Sequence, residues 1–160
     1  MIAETILRMI EYFKGDGKRI NHALKVYSFA SAMGEAEALD AEKLINLKLA
    51  SILHDIGILE SERKYNSSSG KYQELEGPPI AKDLLVGFGL SDASLDRILY
   101  LIGSHHSYGK IDGLDFQILV EADFLVNIYE DRLDKSAIES IRNKIFKTTT
   151  GLKIFNSMYG

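Results

Sequence analysis

Apolar residues recur at spacings of three and four along almost the whole chain, and nowhere do β-branched residues fall into an alternating run of strand length. That periodicity lines side chains along one stripe of a helix, so it restricts the chain to an all-α architecture. Ile2, Ile6, Leu7, Ile10 and Phe13 mark a first amphipathic helix, ended by Gly15-Asp16-Gly17. A second is predicted from about Arg19 to Met33, with His22, Val26, Phe29, Ala30 and Met33 on one stripe. Asp40 has the side chain of an N-cap and opens a third helix, which runs through Leu44, Leu47 and Ile52 to His54-Asp55 and stops at Gly57. The segment from Glu60 to Pro79 is polar, contains Ser67-Ser68-Ser69-Gly70, and is expected to be a long loop. A compact domain seldom keeps such a loop without a use for it. Pro78-Pro79 is expected to start a fourth helix to about Phe88, and Ser91 or Asp92 to cap a fifth to about Gly103. After a turn at 109–113 comes the most hydrophobic helix, Asp115 to Asp131, and two weaker amphipathic segments follow at about 135–146 and 151–158. No repeat, linker or low-complexity tract interrupts the series. Residues 1–160 therefore read as a single-domain helical bundle.

The chain has no cysteine, which excludes disulfides, thiolate metal sites and cysteine nucleophiles. A tightly held transition metal has only histidines and carboxylates to bind it. The net charge of −4 gives no basic excess to displace phosphate counterions. It argues against non-specific nucleic-acid binding, though a local pocket for one small phosphate stays compatible with it. Glu4, Arg8 and Glu11 interrupt the N-terminal pattern as no signal peptide would, and no run approaches the roughly 18 apolar residues of a membrane span. A cytoplasmic location is expected by default, with no membrane partner.

The four histidines each adjoin another informative residue. His22 lies on the inner stripe of the second helix. His54 is followed by Asp55 in LASILHDIGIL, where the helix carries an ionisable pair into apolar surroundings; burying a charge there costs several kcal/mol unless it is paired or bound to a metal. His105 and His106 stand together just after the fifth helix, in LIGSHHSYG. Asp123 is the strongest oddity. It sits in FQILVEADFLVNIY, with Leu119, Val120 and Val126 three or four residues away. Such an aspartate either caps another helix, pairs with an arginine, or ligates a cation that keeps it ionised.

Taken together, these residues resemble the HD superfamily of metal-dependent phosphohydrolases. The likeness rests on His22 in INHALKV, the His54-Asp55 doublet in LHDIG and Asp123 in EADFLVN, over roughly residues 18 to 130. It implies a helical bundle of the HD-domain type in which His22, His54, Asp55 and Asp123 hold a divalent metal, with His54 and Asp55 at the chemistry. Members with two metals have further histidines, and His105 and His106 fit the later group. At the earlier position this sequence has Glu76, which would replace a histidine as an oxygen ligand or leave the second metal weak. Gly57 and Ile58 occupy the place where some single-metal members carry a catalytic glutamate, and Ser107-Tyr108-Gly109-Lys110 replaces the Gly-Tyr-Pro of one cyclic-dinucleotide phosphodiesterase subclass. Neither mechanism is expected.

A histidine and carboxylate set suits one or two ions of Fe, Mn, Zn, Ni or Co, and Mg is also admissible. Such an ion acidifies a water and neutralises phosphoryl charge, which is what hydrolysis of a phosphate ester or anhydride needs. Lys64 or Lys71 beside the expected loop, and Lys110 after the double histidine, are the candidate phosphate contacts, and Tyr65 and Tyr72 are placed to stack on a base. The expected partner is a small phosphorylated substrate, a nucleotide by preference. The competing reading is a metal-containing module that senses a nucleotide without cleaving it. The amphipathic terminal helices either close the core or pair with a second subunit.

Overall fold

The periodicity resolves into nine α-helices: α1 (Ile2–Tyr12), α2 (Gly17–Ala36), α3 (Ala41–Leu53), α4 (Ile58–Tyr65), α5 (Gly70–Leu84), α6 (Asp92–Ile102), α7 (Leu114–Glu130), α8 (Lys135–Ile145) and α9 (Thr149–Tyr159). The structure is a computed structural model that describes residues 1–160; a 3₁₀ turn at Tyr108–Lys110 completes the regular elements, and there is no strand. Helix starts follow local chemistry. The side chains of Asp16, Asp40, Ser91, Asp134 and Thr148 each accept a backbone N–H from the first turn of α2, α3, α6, α8 and α9, contacts worth about 1 kcal/mol apiece. The second helix runs on past the expected Met33 to Ala36, until Ala38 takes the left-handed backbone conformation (φ 57°).

The segment 60–79 is not a long loop. It folds as α4, a short connection at 66–69 and most of α5, with Pro78 and Pro79 inside α5 and not at a helix start. Its polar composition misled because the inner side of these two helices is itself polar or small. Ser61, Gln73, Gly77 and Ala81 are the buried positions. The Ser61 hydroxyl donates to the Ser67 carbonyl, and the Gln73 amide donates to the Ser68 carbonyl at 2.7 Å. Those two bonds tie the connection down, so hydrogen bonds do here what apolar burial does elsewhere. Each proline removes one N–H from α5. At this stretch α5 packs tightly on its neighbours: a Cβ on Gly103 would meet Pro78 Cγ at 3.0 Å, and one on Gly77 would meet Ile102 Cγ2 at 3.0 Å.

α3 and α7 form the centre. α2 packs on both, and α6 closes over α3. A cluster of 27 buried apolar residues fills the space between them, including Met33, Leu47, Leu53, Ile98, Phe116 and Leu125. α7 is enclosed on nearly every side, which is why its sequence is apolar all round. No helix is long and apolar enough to cross a membrane.

α7 also buries Glu121 completely. One carboxylate oxygen accepts the N–H groups of Lys147 (2.7 Å) and Thr148 (3.0 Å), and the other has no partner. Burial raises this carboxyl above its usual value against the pull of those backbone amides. The folded state therefore favours the protonated acid more than the unfolded chain does. The stability this contributes is fully present below the unfolded value near 4.5 and is lost as pH rises through the folded one. Glu121→Gln keeps an acceptor for the two amides and removes the ionisation. Thermal melts at pH 4.5 and pH 7.5 should show a Tm difference narrowed by a few degrees in the variant, about 1 kcal/mol; an unchanged difference contradicts this account.

Candidate metal centre

Four elements deliver histidine and aspartate side chains to one point. His22 projects from the inner face of α2, and His54 and Asp55 follow the last residue of α3. His105 and His106 follow the end of α6 at Gly103, and Asp123 comes from the middle of α7. Helix ends suit histidine because the carbonyls of the last turn lack helical partners. His54 Nδ1 donates to the Ser51 carbonyl at 2.8 Å, and His105 Nδ1 donates to the Ile102 carbonyl at 2.8 Å. Each bond fixes the tautomer and turns the Nε2 lone pair inward. His22 Nδ1 donates to Glu130 at 2.5 Å, and the other Glu130 oxygen is held by Lys25 at 2.9 Å.

The Nε2 atoms of His22 and His54 stand 3.1 Å apart. From His22 Nε2 it is 3.3 Å to one Asp55 oxygen and 3.2 Å to Asp123; from His54 Nε2 both separations are 3.4 Å. Asp55 turns its other oxygen to His105 Nε2 at 3.2 Å and His106 Nε2 at 3.9 Å. Asn127, one turn beyond Asp123 on α7, donates to the Asp123 carboxylate at 3.0 Å. His22, His54, His105 and Asp123 are buried; Asp55, His106 and Asn127 are half-buried.

These separations fit a cation. Donors about 2.1 Å from a common centre lie roughly 3.0 to 3.4 Å apart between right-angled and tetrahedral arrangements. Two lone-pair-bearing imidazoles and two carboxylates at such distances otherwise have to share protons. Burial disfavours a charge on His54, yet Asp55 and Asp123 outweigh it and raise its pKa well above normal; His22 is raised in the same way, with Asp123 as its main partner. Asp55 and Asp123 are held below the usual carboxylate range despite burial, by His54 and His105 beside Asp55 and by His22 and His54 beside Asp123. His106 differs: burial and the neighbouring His105 push it down to about 4, so its ring is neutral at ordinary pH. Two further overlapping groups, His54–Asp55–His105 and His105–His106–Asp123, have the spacing for metal ligation.

Of the residues singled out in the sequence, the structure brings together His22, His54, Asp55, Asp123, His105 and His106. It does not bring Glu76, which accepts from Lys64 at 2.8 Å and from the Tyr65 hydroxyl at 2.9 Å. The reason is the α4–α5 pairing, which a loop reading hides. That same pairing occupies Lys64. Lys71 is exposed against the ring of Tyr72, and Lys110 is exposed in the 3₁₀ turn. Tyr65 and Tyr72 stack on each other, with centroids 4.1 Å apart. The cleft beside the cluster, about 350 Å³, has Lys18 and Arg19 on its wall with His22 and Asp55, and also the acids Asp16, Glu130 and Asp131. Arg19 is held by Asp16 and Glu62, whereas Lys18 is exposed and forms no ion pair.

Three residues at the site went unsuspected. Glu74, two residues before Glu76, accepts the His106 N–H at 3.0 Å and the Ser107 hydroxyl at 2.9 Å. Asn127 had a local signal, its place four residues after Asp123 on one helix face. Glu130 had none, because its partner lies 108 positions away. A carboxylate on the outer nitrogen of a ligating histidine fixes the ring and raises its basicity. Glu130→Ala should weaken metal affinity roughly 10- to 100-fold, read by competition with a chelator. Wild-type affinity in that variant would leave Glu130 with no hold on the cluster.

The family model described as HD domain matches residues 19–145. The fold is also similar to the crystal structure of a predicted HD superfamily hydrolase from an uncultured Thermotogales bacterium. The TM-score is 0.71 at 25% identity, over 98% of this chain and 84% of that one. A search of curated proteins returns no match.

Proposed function

The chain belongs to the HD-domain family, and from that premise we propose that it is a metal-dependent phosphohydrolase acting on a small phosphate ester or anhydride, with a nucleotide as substrate. The observation that carries this reading is the shared Asp55 carboxylate, one oxygen facing His22 and His54 and the other facing His105. That arrangement suits a pair of divalent ions, with His22, His54, Asp55 and Asp123 holding one and Asp55, His105 and His106 supporting the second. When bound, such ions supply Lewis acidity to the phosphoryl group and make water a nucleophile near neutral pH. The chain's own residues do the rest. Backbone carbonyls and Glu130 keep the imidazoles aimed inward, and Asn127 keeps Asp123 in place. Lys18 offers the one unpaired cation lining the cleft, and we assign it, in place of Lys64, Lys71 or Lys110, to the substrate's outer phosphate. A cleft of about 350 Å³ is at the small end of ligand sites, of the order a mononucleotide needs.

Two observations favour a second reading, a module that binds a nucleotide without cleaving it. Glu76 is spent on Lys64, and Gly57 and Ile58 leave no carboxylate just after the doublet. Elemental analysis of protein purified without chelator or added metal comes first, followed by a substrate panel of nucleotides and dinucleoside polyphosphates. Metal with turnover, and a KM raised roughly tenfold by Lys18→Ala, supports hydrolysis. Bound metal and saturable nucleotide binding without turnover on any substrate would select the second reading, and metal-free protein that no divalent ion loads would overturn both.

A further inference from the structure

The largest cavity is not at the histidine cluster. It lies toward the other end of the bundle, about 600 Å³ in volume, where the first turns of α3, α6 and α7 meet. Asn46, on its wall, is eight residues before His54, about 12 Å along α3. This side chain is the informative one. Asn46 is 4% exposed and faces the cavity, yet no residue of the protein hydrogen-bonds its amide. Its two donors and its acceptor open onto the cavity instead of a sealed interior, so they are free to meet whatever occupies it.

The charges around it are unequally occupied. Arg97 holds Asp115 at 2.6 and 2.8 Å and Asp112 at 2.9 and 3.0 Å, so all four oxygens of that pair are taken. Asp40 caps α3 and pairs with Lys43 at 3.4 Å. Glu42 is different: it receives only the Ser94 hydroxyl, at 3.3 Å. It stands one turn before Asn46 on the same face of α3, so a free carboxylate and a free amide lie side by side. The helix N-termini would favour an anion, but each already has an acid in its cap or first turn, Asp40, Asp92 and Asp115. The lining keeps two more acids than bases, with Leu39, Ala93 and Leu114 as apolar wall.

We propose that this cavity binds a small organic cation, an ammonium or guanidinium group on a short carbon skeleton. Its charged head meets Glu42 and the Asn46 oxygen, and its carbons lie against Leu39 and Leu114. A divalent metal does not fit, because one free carboxylate and one amide oxygen are too few hard ligands once Arg97 has taken the aspartates. The proposal is independent of any hydrolysis at the histidine cluster.

Agmatine and putrescine titrated into the purified full chain, followed by calorimetry and by the side-chain amide resonances of Asn46, test it. Saturable binding is expected, with those resonances shifting. Asn46→Ala and Glu42→Gln should each weaken it at least about tenfold with metal content and circular dichroism unchanged. Glu42 is exposed, so its variant reads the site even where Asn46→Ala perturbs folding. No saturation by either amine at millimolar concentration overturns the proposal, as does equal binding by the Glu42→Gln protein. Displacement of the Asn46 resonances by AMP and not by the amines overturns the ligand class.

Discussion

Asp55→Ala is expected to abolish turnover, on the order of 10³-fold or more, and to release metal from both halves of the cluster together. One of its oxygens faces His22 and His54 at 3.3 and 3.4 Å while the other faces His105 at 3.2 Å. Without it, the first group keeps two imidazoles and Asp123, and the second keeps two imidazoles and has to share that same Asp123. Asp55 also holds a proton on His54 when no ion is present, so the variant should show a His54 that titrates at lower pH in the metal-free protein. Folding should survive, since Asp55 is half-buried at the cleft and the apolar core does not depend on it. Metal content measured beside kcat/KM settles the point. A variant with full metal stoichiometry and lost activity would restrict Asp55 to positioning water or substrate, and one with normal activity would remove it from the site.

How much of this could be read from the chain depended on whether the determining contact was local. The doublet and Asp123 stand out through their own surroundings, ionisable groups among apolar helical neighbours, whereas His22 rests mainly on the family resemblance; the fold brings all of them to one point. All-α architecture followed from the same periodicity. The α4–α5 pair escaped because two amphipathic helices with a polar inner side and a mid-helix proline pair resemble a loop by composition. The loop reading put Lys64 forward as a phosphate contact, and the family pattern put Glu76 at a histidine position, when the two are paired with each other. Glu130, Lys18 and the Asn46 cavity depend on contacts between segments far apart in sequence. Periodicity says which face of a helix is buried, and it does not say which residue on another helix it meets.

Gly57 links the doublet to that misread region, and Gly57→Ala is expected to be the most destabilising small substitution in the chain. The backbone there is ordinary (φ −78°, ψ −7°), so conformational freedom is not the reason for glycine. Space is. An added Cβ would lie 2.5 Å from Gly77 N, 2.6 Å from Gln73 O and 2.9 Å from Gly77 Cα, all backbone atoms of α5. No rotamer change relieves a clash with backbone, so α5 has to move away from the α3–α4 corner. Overpacking of this kind costs about 3 kcal/mol, which for a chain of this size lowers Tm by roughly 10 °C. Displacing α5 also shifts Gln73, which lies 3.4 Å from His106, and Glu74, which holds the backbone N–H of that histidine. Metal affinity should therefore fall along with stability. Two other glycines serve as controls. Gly77→Ala has one tight contact, with a side-chain methyl and not with backbone, Ile102 Cγ2 at 3.0 Å, and should cost less; Gly17→Ala meets nothing within 4 Å at the start of α2 and should be near neutral. Melting curves for the three variants order them, and a Gly57→Ala protein that melts with Gly17→Ala would mean that α4 and α5 do not approach so closely.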